Sequence, residues 1–90
     1  MYLHLGGDVS VKYKSIIGIF DLDTASVSAK TRAFLESAQK RGEVINVTND
    51  LPKSFVVTKD EGKTRLYITQ VSSATLKKRA ALGGYRENFT

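Results

Sequence analysis

The chain has 90 residues, 14 of them basic and 9 acidic, with a single histidine and no cysteine. That length fits one domain, and a domain of this size buries only roughly 60–65% of its unfolded surface, so its core is marginal. Without cysteine there are no disulfides or thiolate zinc sites, and the lone His4 excludes a multi-histidine metal site. No metal and no cofactor are expected, which leaves association with further copies of itself as the way to bury more surface.

Apolar and charged residues are both near the globular average, which predicts a folded, soluble protein. Apolar runs such as residues 16–20 fall far short of the ~20 needed to cross a bilayer, so no membrane partner is expected. The first residues lack a basic flank followed by an apolar stretch, so no signal peptide is expected and the predicted location is cytoplasmic. The formal net charge of +5 predisposes a compact domain toward polyanions, nucleic acid before an anionic membrane surface.

In chain order, Tyr2, Leu3, His4 and Leu5 before Gly6-Gly7-Asp8 read as a strand and a turn. Val9, Val11 and Tyr13 alternate with Ser10, Lys12 and Lys14, the pattern of a half-buried strand with a basic outer face. Residues 16–20, I-I-G-I-F, read as a central strand buried on both faces, completing a three-stranded antiparallel start. A helix begins around Thr24 to Ser26, with Val27, Thr31, Phe34, Leu35 and Ala38 on one stripe and Ser26 or Thr24 as N-cap. Lys40 and Arg41 suit its last turn, and Gly42 supplies a left-handed stop. Residues 43–48 read as a short strand, 49–52 as a turn and 54–59 as an apolar strand. Asp60-Glu61-Gly62-Lys63 reads as a hairpin turn and residues 64–68 as the return strand. Ser72 or Ser73 caps a short helix running to about Ala81, stopped by Gly83 and Gly84. The predicted order is βββ-α-βββ-α: an α+β fold with a small, mostly antiparallel sheet, one long helix and one short one. Residues 1–82 form a single domain on this reading, and 83–90 a flexible tail.

One stretch imitates a catalytic motif. Residues 16–25, I-I-G-I-F-D-L-D-T-A, resemble the D-x-D motif of the haloacid dehalogenase phosphotransferases. That chemistry sits in a parallel doubly wound sheet, which needs crossover connections and well over ninety residues. Asp21 and Asp23 are equally explained as acids at a strand end, complementing the positive N-terminus of the following helix. His4 has no serine or cysteine partner at a recognisable spacing, and the two Gly-Gly pairs are not phosphate loops. No enzymatic activity and no small-molecule substrate are predicted.

The cations are clustered. Lys12 and Lys14 share a strand face on this reading, Lys53 follows Pro52, and Lys77, Lys78 and Arg79 are consecutive on the last helix. Tyr13, Phe55 and Tyr67 occupy core-like alternating positions instead of interleaving with the basic residues. Phosphate contacts to double-stranded DNA therefore fit better than single-strand stacking. The predicted DNA-binding set is Lys12, Lys14, Lys53, Lys77, Lys78 and Arg79.

The sequence also resembles the small bacterial extracellular matrix regulatory proteins of the RemA/RemB family, especially the RemB branch. The resemblance is carried by M-Y-L-H-L-G at residues 1–6, I-I-G-I-F-D at 16–21, P-K-S-F-V-V at 52–57 and S-A-T-L-K-K-R-A at 73–80. It implies a homo-oligomeric DNA-binding transcriptional regulator of biofilm matrix genes, with LytTR-like subunits assembled into closed rings. RemA-type members carry an arginine before the I-I-x-I strand, where this chain has Ser15, and an arginine-rich turn where it has Asn49-Asp50-Leu51-Pro52-Lys53. Lysine does not reproduce arginine's bidentate grip, so either the DNA contact has moved to Lys12, Lys14, Lys53 and the cluster of Lys77, Lys78 and Arg79, or this branch binds DNA weakly or indirectly. The alternative reading is an oligomeric interaction protein of the same fold without direct DNA contact.

Overall fold

The computed structural model describes residues 2–22 and 28–82. Tyr2–Gly6 (β1) and Val9–Lys12 (β2) form an antiparallel hairpin. The His4 ring closes its turn, with Nε2 2.8 Å from the Gly7 carbonyl oxygen. Alternation places Leu3, Leu5 and Val11 inward, and all three are buried. The ladder stops at Lys12, where Tyr13–Ser15 forms a 3-10 turn and the Ser15 hydroxyl donates to the Lys12 carbonyl at 2.8 Å. That local bond gives the backbone an alternative to strand pairing, so the alternating strand ends before Tyr13. Lys12 and Lys14 consequently do not share a strand face.

The 3-10 turn also redirects the chain. Ile16–Asp21 (β3) does not extend the first hairpin but enters a second sheet. Ala29–Lys40 (α1) follows, then Val44–Asn46 (β4), Ser54–Asp60 (β5), Lys63–Thr69 (β6) and Ser73–Leu82 (α2). The second sheet has the order β3-β5-β6-β4, antiparallel except for the parallel β4–β6 pair. The fold is α+β and its pairing mostly antiparallel, as expected, but the strands form two sheets instead of one. Glu61 and Gly62, with φ of 51° and 79°, make a two-residue turn that fixes β5 and β6 as neighbours. Since β3 and β6 take both edges of β5, β4 pairs on the remaining edge of β6.

Residues 54–58 are all buried, so β5 is the central strand. The assignment of residues 16–20 to the centre is corrected: β3 is an edge strand, with Ile17 59% and Phe20 45% exposed. The run I-I-G-I-F has the composition of a buried strand, but only a strand flanked on both sides is covered as β5 is.

Each helix covers one face of this sheet. On one side, Leu76 and Ala80 of α2 pack with Leu3, Leu5, Val11 and Val56. On the other, Ala38 of α1 packs with Phe55, Val57 and Leu66. The cap of α1 is Ser28, whose Oγ accepts the Thr31 N–H at 3.1 Å. The predicted caps Thr24 and Ser26, along with Val27, lie outside the described residues. Of the helical stripe, Ala38 is buried and Leu35 partly so, while Phe34 remains 41% exposed. Gly42 has φ of 73° just after α1, and Ser72 caps α2, accepting the Thr75 N–H at 3.1 Å. The predicted stop at Gly83 and Gly84 and the predicted tail, residues 83–90, lie outside the described residues.

One buried hydroxyl ties the two sheets together. Thr69 Oγ1 donates to the Leu5 carbonyl across 64 residues of sequence and accepts the Val71 N–H. Thr69→Val keeps the shape but leaves both groups without that partner, so it should cost about 1–3 kcal/mol in urea unfolding. A loss below about 0.5 kcal/mol, the range of neutral surface changes, would show that this link adds nothing to stability.

Candidate nucleic-acid interface

The predicted basic residues do not converge on one spot. Lys12 lies at one end of β5, with its Nζ 3.8 Å from Asp60 Oδ2. Lys53 immediately precedes the other end, where its N–H bonds the Thr69 carbonyl at 2.9 Å. Seven strand residues separate the two, about 23 Å at ~3.3 Å per residue. Lys14 is exposed on the 3-10 turn. On α2, Lys77 and Lys78 are exposed beside buried Leu76, whereas Arg79 folds back on β1 and donates from Nη1 to the His4 carbonyl at 3.3 Å. Lys14, Lys53, Lys77 and Lys78 are exposed and make no ion pair among the described residues.

At the two positions where the family resemblance implies arginines, the structure shows different local chemistry. Ser15 is 8% exposed, its hydroxyl spent on the 3-10 turn. The turn before β5 stands out from the surface, with Leu51 82% exposed, but Lys53 is its sole cation. Within that turn the Asp50 N–H bonds Thr48 Oγ1 at 3.1 Å. Of the aromatic residues read as core, Phe55 is buried, and Tyr13 and Tyr67 pack at the margin of the α2-side core.

The D-x-D stretch lies in different surroundings from its look-alike. Asp21 ends an edge strand antiparallel to β5, and Asp23 lies outside the described residues. Asp60 and Glu61 sit at the β5–β6 hairpin, where Asp60 faces Lys12.

Two features escaped the sequence reading. Arg65 stands opposite Thr58 in the β5–β6 register and lines the same cleft as Lys12. Cross-strand neighbours of this kind follow from the hairpin register, so the Glu-Gly turn was the available signal. The second is an apolar groove of about 280 Å³ between β3 and α1, lined by Ile17, Phe20, Phe34, Phe55 and Val57. The Phe20 ring stacks on Phe55 with centroids 5.0 Å apart. Gly18 makes room for it, since a Cβ there would lie 2.6 Å from the Phe20 ring.

The described residues form a small α+β domain with several exposed lysines and an apolar groove, and its relatives are small regulatory proteins. Residues 2–80 match the RemA-like family, described as extracellular matrix regulatory protein A-like, and the chain belongs to this family. It is similar to extracellular matrix regulatory protein B of Bacillus subtilis (strain 168), with 41% identity over 80 residues, 89% of this chain and 90% of that protein. Both names denote regulators and not enzymes.

The exposed lysines carry no visible structural duty. Alanine at Lys14, Lys53, Lys77 or Lys78 should therefore change the unfolding free energy by less than about 0.5 kcal/mol in urea titrations. A larger loss at any of them would reveal a packing role for its aliphatic stem.

Proposed function

We propose that this chain is a DNA-binding transcriptional regulator of extracellular matrix genes, acting in the cytoplasm as a homo-oligomer and holding the duplex mainly through phosphates. The observation that carries the reading is the surplus of unneutralised cations: a formal +5, with Lys14, Lys53, Lys77 and Lys78 exposed and unpaired among the described residues. Family membership and the regulator names of its relatives support it. A LytTR-like subunit fold belongs to the same proposal.

Placed on the 3-10 turn, before β5 and on α2, these lysines suit several weak phosphate contacts better than one specific pocket. Each neutralised phosphate adds about −0.9 to the slope of log K against log salt. Contacts from several subunits on one duplex multiply through effective concentration, so an oligomer binds where a lone subunit would not.

The groove supplies the oligomer contact. An edge strand with exposed Ile17 and Phe20, beside exposed Phe34, is a pairing surface unless something covers it. The same groove favours the second reading, an interaction protein that uses this face without touching DNA.

Two measurements separate these readings. Lys14→Ala and Lys53→Ala should weaken duplex binding alike on every sequence and flatten the salt slope by about 0.9 per lost phosphate. Unchanged affinity and slope in both variants would favour the interaction protein. Light scattering at micromolar concentration should give a multiple of the single-chain mass for the parent, and Ile17→Lys should shift it toward the monomer. A monomeric parent would remove the oligomer from the proposal.

A further inference from the structure

Between the β1–β2 hairpin and the Asp60 end of the larger sheet lies a polar cleft of about 150 Å³, room for roughly five waters at ~30 Å³ each. Tyr2, Lys12, Thr58, Asp60, Arg65 and Tyr67 are among the residues lining it. Strand register assembles these walls from distant parts of the chain. In the hairpin Tyr2 stands opposite Lys12, and in the sheet Thr58 stands opposite Arg65, with Val56 opposite Tyr67. Alternation then sends Thr58, Asp60, Arg65 and Tyr67 to the same face of β5 and β6, the face covered by the hairpin.

The charges in this cleft are not balanced. Lys12 and Arg65 oppose the single carboxylate of Asp60. The Lys12–Asp60 separation of 3.8 Å is too long for a hydrogen bond, and both side chains are about half exposed, at 51% and 44%. An exposed pair of that kind is weak and yields to a better partner. Arg65 makes no ion pair among the described residues, so its guanidinium fork is uncommitted. A planar fork beside a movable ammonium, in a space of a few waters, matches the geometry and charge of a phosphate group.

We infer that this cleft is a phosphate seat, in which Arg65 supplies the fork, Lys12 the second cation, and Asp60 holds Lys12 in place until the anion arrives. The phosphate could belong to the backbone of duplex DNA or to a free phosphorylated ligand; the chemistry of the seat is the same. Arg65 is not among the residues that composition or family resemblance pointed to, and the inference stands on the cleft whether or not the chain binds DNA.

The test is an amide NMR titration of the full chain with inorganic pyrophosphate. The signals of Lys12, Arg65 and Tyr67 should shift saturably. Arg65→Ala should weaken the response at least about tenfold, with Arg65→Lys intermediate because it keeps the charge without the fork. Asp60→Asn should tighten binding roughly two- to fivefold by releasing Lys12. Arg65 is exposed, and an unchanged amide spectrum away from the cleft checks that the variants remain folded. Shifts equally large at Lys14, Lys53 and Lys77, or an Arg65→Ala variant that titrates like the parent, would overturn the seat. A short duplex that displaces pyrophosphate from the cleft signals assigns the seat to backbone phosphate. If duplex is absent from the cleft while pyrophosphate still occupies it, the seat belongs to a free phosphorylated ligand.

Discussion

Phe55 and Val56 are adjacent in sequence, point to opposite faces of β5, and are both almost completely buried. A strand can do this only with a partner on each edge and a cover on each face, and the rest of the structure supplies those four neighbours. β3 and β6 close the edges, α1 covers Phe55 and Val57, and the hairpin with α2 covers Val56. A chain of 90 residues thereby divides its apolar side chains between two thin cores instead of filling one. Each core is small, so links between layers matter. The buried Thr69 hydroxyl on the Leu5 carbonyl joins the hairpin to the sheet.

That arrangement also decides what is left on the surface. With β5 in the centre, β3 falls to an edge, and an apolar segment that could have been core is left with Ile17 and Phe20 partly open to solvent. The Phe20 ring lies back over Gly18 onto Phe55, which turns the exposed apolar area into a groove with Phe34 on its other wall. At the opposite face, the hairpin approaches the end of β5 and β6 and brings Lys12 and Arg65 to one cleft. An apolar groove and a cationic cleft therefore arise from the same stacking order, on opposite sides of one sheet.

Much of the local structure was legible because it rests on short-range chemistry. Ser72 capping α2, Gly42 after α1 and the Glu61-Gly62 turn each depend on residues within four positions of one another. The α1 cap was misplaced for the same reason that caps are easy to find: Thr24, Ser26 and Ser28 are all competent oxygens, and only the structure selects Ser28. The β2 strand was read too long because alternation continues through Tyr13, while the hydroxyl of Ser15 bonds the Lys12 carbonyl and ends the ladder. Of the candidate site, individual lysines were legible as exposed charge. Their separation by the length of β5, the commitment of Arg79 to the His4 carbonyl and the meeting of Lys12 with Arg65 were not, because each depends on how elements distant in sequence pack together.

The sequence by itself determined the α+β class, the positive charge, the absence of thiol chemistry and the positions of most turns. These follow from composition and from interactions between near neighbours along the chain. The tertiary structure alone decided which apolar strand is central. Residues 16–20 and residues 55–57 both carry short apolar runs, and periodicity cannot rank them. What ranks them is that β5 is held to β6 by a two-residue turn and flanked by β3, while the 3-10 turn at Tyr13–Ser15 leaves β3 with one partner. Pairing between strands far apart in sequence is a property of the whole chain, and with it came both the groove and the cationic cleft.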